Sequence, residues 1–88
     1  MIIDPNFEIV DIVDEHLAVP IGEKAKSFNG VVALSDAAAF LLKNMNKSRS
    51  KQELVELLTA EYNVEESIAK ADVDNMIEKL LDMGVIKE

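Results

Sequence analysis

Few residues of this chain are of the types that perform catalysis. The sequence contains one histidine, His16, and no cysteine, so it offers neither a thiolate metal site nor a cysteine nucleophile. Because no second histidine accompanies His16, we interpret it as an exposed surface residue rather than a metal ligand or general base. Acidic residues are numerous, but no glycine-rich phosphate loop or metal-ligand motif accompanies them. We therefore expect a protein that is not an enzyme and that uses no cofactor and no metal.

The segment that begins at Val31 offers a different kind of chemistry, hydrogen bonding by the backbone. Its apolar residues are typical of a short strand, and Ser35 directly after them is a suitable helix N-cap. A strand at the border of a sheet leaves backbone N–H and C=O groups with which an extended peptide can pair. Alternation directs Val32 and Leu34 into the core. It leaves Val31 and Ala33 exposed to a ligand, unless all four residues belong to the core.

The elements that position this segment are those of an α+β domain. Three strands are followed by three helices, an order that resembles a winged helix-turn-helix. Ser50 and Glu53 form a capping box for the second helix, and Gly84 is suited to close the third. Polar residues between the second and third strands predict a loop over residues 22–30, and Asp14 with Glu15 predicts a hairpin turn. The predicted strands cover residues 7–13, 16–21 and 30–34, and the predicted helices cover residues 35–44, 50–62 and 65–83.

The third predicted helix carries an apolar stripe that is wider than one packing seam requires. Most of the stripe, including Met76 and Leu80, belongs to the core, but we expect Val73, Ile77 and Leu81 at its margin to be available to a bound peptide. Lys70 and Asp74 lie one turn apart on the same helix. They could pair with charges of a bound peptide or with each other.

A local basic cluster lies between the first and second predicted helices. It consists of Lys43, Lys47, Arg49 and Lys51, without an acidic residue among them. One interpretation is a docking point for an acidic peptide or an enzyme surface. The interpretation that we favour is a solvated turn that complements the dipole of the first helix.

Size and charge limit the function further. A chain of 88 residues forms one domain, and its net charge of −8 repels nucleic acid and anionic lipid. No apolar run approaches the roughly 20 residues that a membrane-spanning helix needs. The chain also begins without the basic and apolar regions of a signal peptide. We expect a cytoplasmic protein that binds neither nucleic acid nor membrane.

Several segments occur in an order and at a spacing that together form a recognisable pattern. They are Val32–Leu42, Ser50–Leu58, Glu61–Val64, Ala71–Val73, Ile77, Leu80 and Gly84–Ile86. This pattern, over residues 30–86, resembles the PqqD-like family, the peptide chaperones of pyrroloquinoline quinone biosynthesis and the related recognition domains of ribosomal peptide modification systems. The resemblance implies that the domain binds the leader segment of a precursor peptide in a groove between the third strand and the third helix, bordered by Val73, Ile77 and Leu81. It also implies that the domain presents the leader to a modifying enzyme, often a radical S-adenosylmethionine enzyme.

Two other functions remain open from the sequence. A winged helix-turn-helix could bind DNA through its third helix, although the segment from Glu65 to Met83 carries six acidic residues against two lysines. The domain could also be structural and pair its strand edge with a second copy, forming a homodimer. Such a homodimer is compatible with peptide binding.

Overall fold

Two small sheets and four helices make up the part of the chain that the computed structural model describes, residues 1–45 and 50–88. No helix within these residues is long and apolar enough to cross a membrane. In chain order the elements are β1 (Ile2–Ile3), β2 (Phe7–Ile12), β3 (Glu15–Pro20), α1 (Gly22–Ser27), β4 (Val32–Leu34), α2 (Asp36–Lys43), α3 (Lys51–Tyr62), α4 (Glu66–Met83) and β5 (Ile86–Lys87).

The larger sheet is antiparallel and has the order β2-β3-β4. β2 and β3 form a hairpin in which Ile12 is paired with Glu15 across a two-residue turn. Asp14 in that turn has a φ of 62°, a left-handed conformation that aspartate tolerates better than most residues. β3 continues to β4, where Ala18 is paired with Val32. The sheet therefore ends at β4 on one side and at β2 on the other.

The predicted α+β fold is confirmed, with β2, β3 and β4 as the predicted strands and α2, α3 and α4 as the predicted helices. Each helix begins one residue later than predicted, because the predicted first residue is its N-cap. These N-caps are Ser35, Ser50 and Glu65. The predicted hairpin turn was wrong by one position, since Glu15 already belongs to β3.

The predicted loop after β3 was wrong in part, because it contains helix α1. No residue of α1 is buried, so the sequence carries no apolar period that could reveal the helix. Aromatic packing holds the segment in place. The ring of Phe28 packs edge-on against that of Phe7, with ring centroids 5.4 Å apart, and Lys24 Nζ lies 5.9 Å from the Phe7 centroid.

A second, two-stranded sheet joins the two ends of the chain, and the sequence did not predict it. β1 and β5 are antiparallel, with Ile3 paired with Ile86. The Asp4 N–H also donates to the Val85 C=O at 2.8 Å. Strands of two residues are too short to show alternation, and these two are far apart in the sequence, so no local pattern predicts their pairing.

The core lies where one face of the larger sheet meets the inner sides of α2, α3 and α4. Ala18, Leu42, Leu54 and Val73 are fully buried at its centre. α4 ends as predicted at Gly84, whose φ is 79°, and the following N–H donates back to the Leu80 C=O at 2.9 Å. This cap defines the end of α4. The helix lies on the side of the molecule that also carries β4.

Candidate peptide-binding groove

β4 is an edge strand, and this is the feature on which the candidate site depends. Within the described residues it pairs with β3 alone. Its other side is not covered by any strand of residues 1–45 or 50–88. Such an edge presents backbone donors and acceptors to a guest peptide.

The register shows which residue of β4 presents those groups. Ile12 and Glu15 flank the two-residue turn and exchange hydrogen bonds, so residues of β3 at even positions direct their backbone groups away from β2, towards β4. His16 and Ala18 therefore bond Leu34 and Val32, their partners in the register. The intervening residue, Ala33, directs its N–H and C=O away from β3, into the open edge.

A groove lies directly beside this edge, between β4 and α4. Its cavity has a volume of about 230 Å³, below the range of about 300 to 1,000 Å³ usual for small-molecule sites. That size suits one or two side chains of a bound peptide. The lining residues are Val32, Ala33, Leu34, Ser35, Ala38, Met76, Lys79, Leu80 and Met83.

The junction between β4 and α2 shapes one wall of the groove. The Ser35 side chain accepts a hydrogen bond from the Ala38 N–H at 3.1 Å, so the chain turns from strand into helix within one residue. Asp36 follows in the first turn, where a negative charge is favourable. Because alanine is small, Ala38 leaves space between α2 and α4 instead of filling it.

The predicted strand residues lie at the groove. Val32, Ala33 and Leu34 all line it, and Val31 precedes them with half of its side chain exposed. Ala33 is exposed, whereas Val32 and Leu34 are half-buried against the core. The predicted alternation of this strand is therefore present.

The predicted residues of the third helix lie elsewhere. Val73 and Ile77 are 0% and 4% exposed and face the core, so a peptide in the groove cannot reach them. Leu81 is half-buried against the same core, and neither it nor the exposed Lys70 lines the groove. Asp74 pairs with Lys51 of α3 at 3.2 Å rather than with the lysine one turn before it.

The structure instead brings Met76, Lys79, Leu80 and Met83 of α4 to the groove. The last three follow Met76 by three, four and seven residues, so all four lie on one face of the helix. This face is rotated by a fraction of a turn from the stripe that faces the core. Met76 and Leu80 were predicted as core residues and contact the core as well. The one signal in the sequence was the unusual width of the stripe, and it does not show which side of the stripe faces β4.

Two members of the predicted basic cluster form ion pairs. Lys43 donates to the Asp11 carboxylate on β2, and Lys51 pairs with Asp74. Both pairs are partly exposed, so each stabilises the fold little. Lys47 and Arg49 fall outside the described residues.

His16 was predicted as an exposed surface residue; its side chain lies at the surface, 26% exposed, and it also has two carboxylate partners that the sequence did not predict. Its Nδ1 lies 2.6 Å from Asp11 Oδ1, and its Nε2 lies 3.0 Å from Asp36 Oδ1. The hydrogen bond with Asp11 is the main reason that the pKa of His16 is raised above its ordinary value of 6.5. The pKa of Asp11 is lowered, first by its bond to Lys43 and then by that to His16. The cluster connects β2, β3 and the start of α2, outside the groove.

With this geometry established, comparison with known proteins identifies the chain. The sequence pattern of the family described as coenzyme PQQ synthesis protein D (PqqD) matches residues 12–86. The chain belongs to the PqqD family. This confirms the resemblance seen in the sequence, and the matched range contains β4, α4 and the whole groove. No curated protein is similar enough in sequence to count as a match.

Two solved structures share the fold of this PqqD-family domain. One is described as TbiB1 in complex with the TbiA(beta) leader peptide; it is 16% identical, with a TM-score of 0.79, covering 99% of this chain and 95% of that one. The other is described as lasso peptide synthetase B1 complexed with the leader peptide. It is 20% identical, with a TM-score of 0.78, covering 98% of this chain and 95% of that one. At these identities the likeness concerns the fold.

Proposed function

We propose that this domain binds the leader segment of a ribosomally made precursor peptide, by adding it as a strand to β4. The domain performs no catalysis itself. It presents the bound precursor to a modifying enzyme of the radical S-adenosylmethionine type. The observation that carries the proposal is the direction of the Ala33 N–H and C=O, which point from an uncovered strand edge beside a groove of side-chain size.

The comparisons support the same proposal. Both solved structures with this fold contain a leader peptide, according to their descriptions. Membership of the family described as coenzyme PQQ synthesis protein D also supports the proposal. DNA binding, by contrast, is unfavourable, because α4 carries five acidic residues, from Glu66 to Asp82 inclusive, that repel phosphate groups.

Backbone pairing alone does not give useful affinity at an edge this short. Ala33 offers two hydrogen bonds, and Val31 and Ser35 extend the edge, although the Ser35 C=O already accepts from the Ala39 N–H. At most about five bonds of roughly 0.5 to 1.5 kcal/mol each can form. Ordering a disordered peptide costs about 2 to 5 kcal/mol, while micromolar binding requires about 8 kcal/mol. Side chains seated in the groove must supply most of the difference.

A display library of random peptides provides the probe. A length of about nine residues is sufficient, because such a peptide extends to roughly 30 Å. We expect a selected peptide to shift the amide NMR signals of Ala33, Met76 and Met83. Ala33→Pro should abolish these shifts, because proline has no N–H to donate. Ala33→Val keeps the donor and suits a strand, so it should bind the peptide like the parent protein. Circular dichroism checks that both variants are folded.

Two results would refute the proposal. In the first, selected peptides shift signals elsewhere and leave β4 and α4 unchanged. In the second, the protein is a dimer that no selected peptide dissociates, and Ala33→Pro converts it to a monomer, because the edge then pairs permanently with a second copy.

A further inference from the structure

The groove has two compartments of different chemistry, and Lys79 lies where they meet. The compartment described above is mainly apolar. A second one continues towards the start of α4 and is lined by Ser35, Ala37, Asp72, Asn75, Met76 and Lys79. Ser35, Met76 and Lys79 line both compartments. A peptide that lies along β4 therefore passes from apolar to polar surroundings beside Lys79.

Lys79 is the one charged residue that lines the apolar compartment. None of the ion pairs formed among the described residues involves it. The nearest acidic residue of the groove lining, Asp72, is two helical turns away and borders the polar compartment only. Lys79 thus presents a positive charge to the groove of a protein whose net charge is −8.

Strand geometry fixes which side chains of a guest peptide can reach these compartments. A guest residue paired directly with Ala33 places its side chain on the same face of the sheet as Ala33, away from the core. The residues before and after it point to the opposite face, where Val32 and Leu34 line the groove. These two guest residues are two positions apart in the peptide, roughly 7 Å along the strand.

We propose that the groove selects peptides in which an acidic residue stands two positions from a large apolar residue. The apolar side chain fills the compartment between Val32 and Met83, and the carboxylate pairs with Lys79. This rests on the proposed peptide-binding function and specifies the class of leader that it accepts. The two residues are only two positions apart because Lys79 lines both compartments.

The test profiles the same display library with four proteins: the parent, Lys79→Glu, Lys79→Gln and Lys70→Glu. The parent should enrich Asp or Glu two positions from Leu, Ile, Met or Phe. Lys79→Glu should enrich Lys or Arg at that position, and Lys79→Gln should show no charge preference. Lys70→Glu makes the same charge change on α4 outside the groove lining, so its profile should match that of the parent.

Affinities of one synthetic peptide pair then measure the contribution directly. Replacing the acidic residue by its amide should weaken binding to the parent protein about two- to fivefold, and less so at high salt. The amide and acid peptides should bind Lys79→Gln equally. Because the change is in the peptide, this comparison with the parent holds even if a protein variant does not fold.

The failure of this inference differs from the failure of the proposed function. If selected peptides shift the Ala33 and Met76 signals but show no acidic preference, or if Lys79→Glu leaves the profile unchanged, the inference is wrong and strand addition stands. If no selected peptide depends on the Ala33 N–H, the proposed function is wrong as well.

Discussion

The Nε2 atom of His16 lies 3.0 Å from Oδ1 of Asp36, and this contact connects the central strand of the sheet to the first turn of α2. Asp36 follows Ser35, the N-cap of α2, which comes directly after β4 and lines the groove. The other ring nitrogen of His16 bonds Asp11, which also binds Lys43 at the far end of α2. His16 of β3 and Asp11 of β2 thus contact the two ends of α2. This helix forms part of the groove wall.

This arrangement predicts a pH dependence of stability. Because the pKa of His16 is raised in the folded protein, its stabilising contribution is fully present below the unfolded value of 6.5 and is lost as the pH rises through the folded value. Urea unfolding from about pH 5 to about pH 8 should therefore show stability falling with pH in the parent. His16→Gln should remove this fall. An equal fall in the variant would show that other groups cause it.

The pKa of His16 itself should depend on its two partners to different extents. It is the sole histidine, so its ring signals can be followed by NMR without ambiguity. Asp11→Asn should lower the pKa more than Asp36→Asn, because the bond to Asp11 is the largest cause of the shift. The reverse order would mean that the Asp36 contact dominates in solution.

Two neighbouring residues of α4 should separate stability from peptide binding. Ile77 is buried, so Ile77→Val should lower the free energy of unfolding by about 0.5 to 1.5 kcal/mol and leave peptide affinity unchanged. Met76 lines the groove, so Met76→Ala should weaken peptide binding severalfold. Urea unfolding and peptide titration of both variants measure the two effects. If the folded Ile77→Val variant binds the peptide more weakly than the parent, Ile77 belongs to the peptide-binding site.

The capping box of α3 should contribute measurably to stability. The Ser50 side chain accepts from the Glu53 N–H, and the Glu53 side chain accepts from the Ser50 N–H. Ser50→Ala should cost about 0.5 to 2 kcal/mol. Ser67→Ala, at an exposed position in the first turn of α4, is the control and should change stability by less than about 0.5 kcal/mol. Equal effects in thermal or urea unfolding would contradict a role for the cap.

Gly84 should be replaceable by asparagine more easily than by alanine. Its φ of 79° strains any residue with a Cβ, and Gly84→Ala should lower the free energy of unfolding by about 1 to 2 kcal/mol. Gly84→Asn should cost less, because asparagine tolerates this conformation. A Cβ at position 84 would lie 3.1 Å from Lys24 Nζ. Because this atom is the far end of a flexible side chain, crowding adds little to the cost of the substitution. Calorimetry of the two variants shows which substitution lowers the stability more.

Much of the fold could be predicted because its signals are local. Ser35 and Ser50 cap the helices that follow them, and the apolar period of α4 shows that this helix packs on the core, although Val73 and Ile77 were assigned to the groove and are buried. Alternation also assigned Val32 and Ala33 to opposite faces of β4. Helix α1 and the β1–β5 pair could not be predicted, because α1 buries nothing and the paired strands are too short to alternate.

The sequence by itself determined an α+β domain, a strand that runs into a capped helix, and an amphipathic last helix. Only the tertiary structure decided that β4 is an edge strand among the described residues, that Ala33 directs its backbone groups outward, and that Met76, Lys79 and Met83 line the groove beside this strand. Periodicity shows which side of a helix is buried. The residues at the margin of that side depend on how the helix is rotated against the sheet, which long-range packing sets.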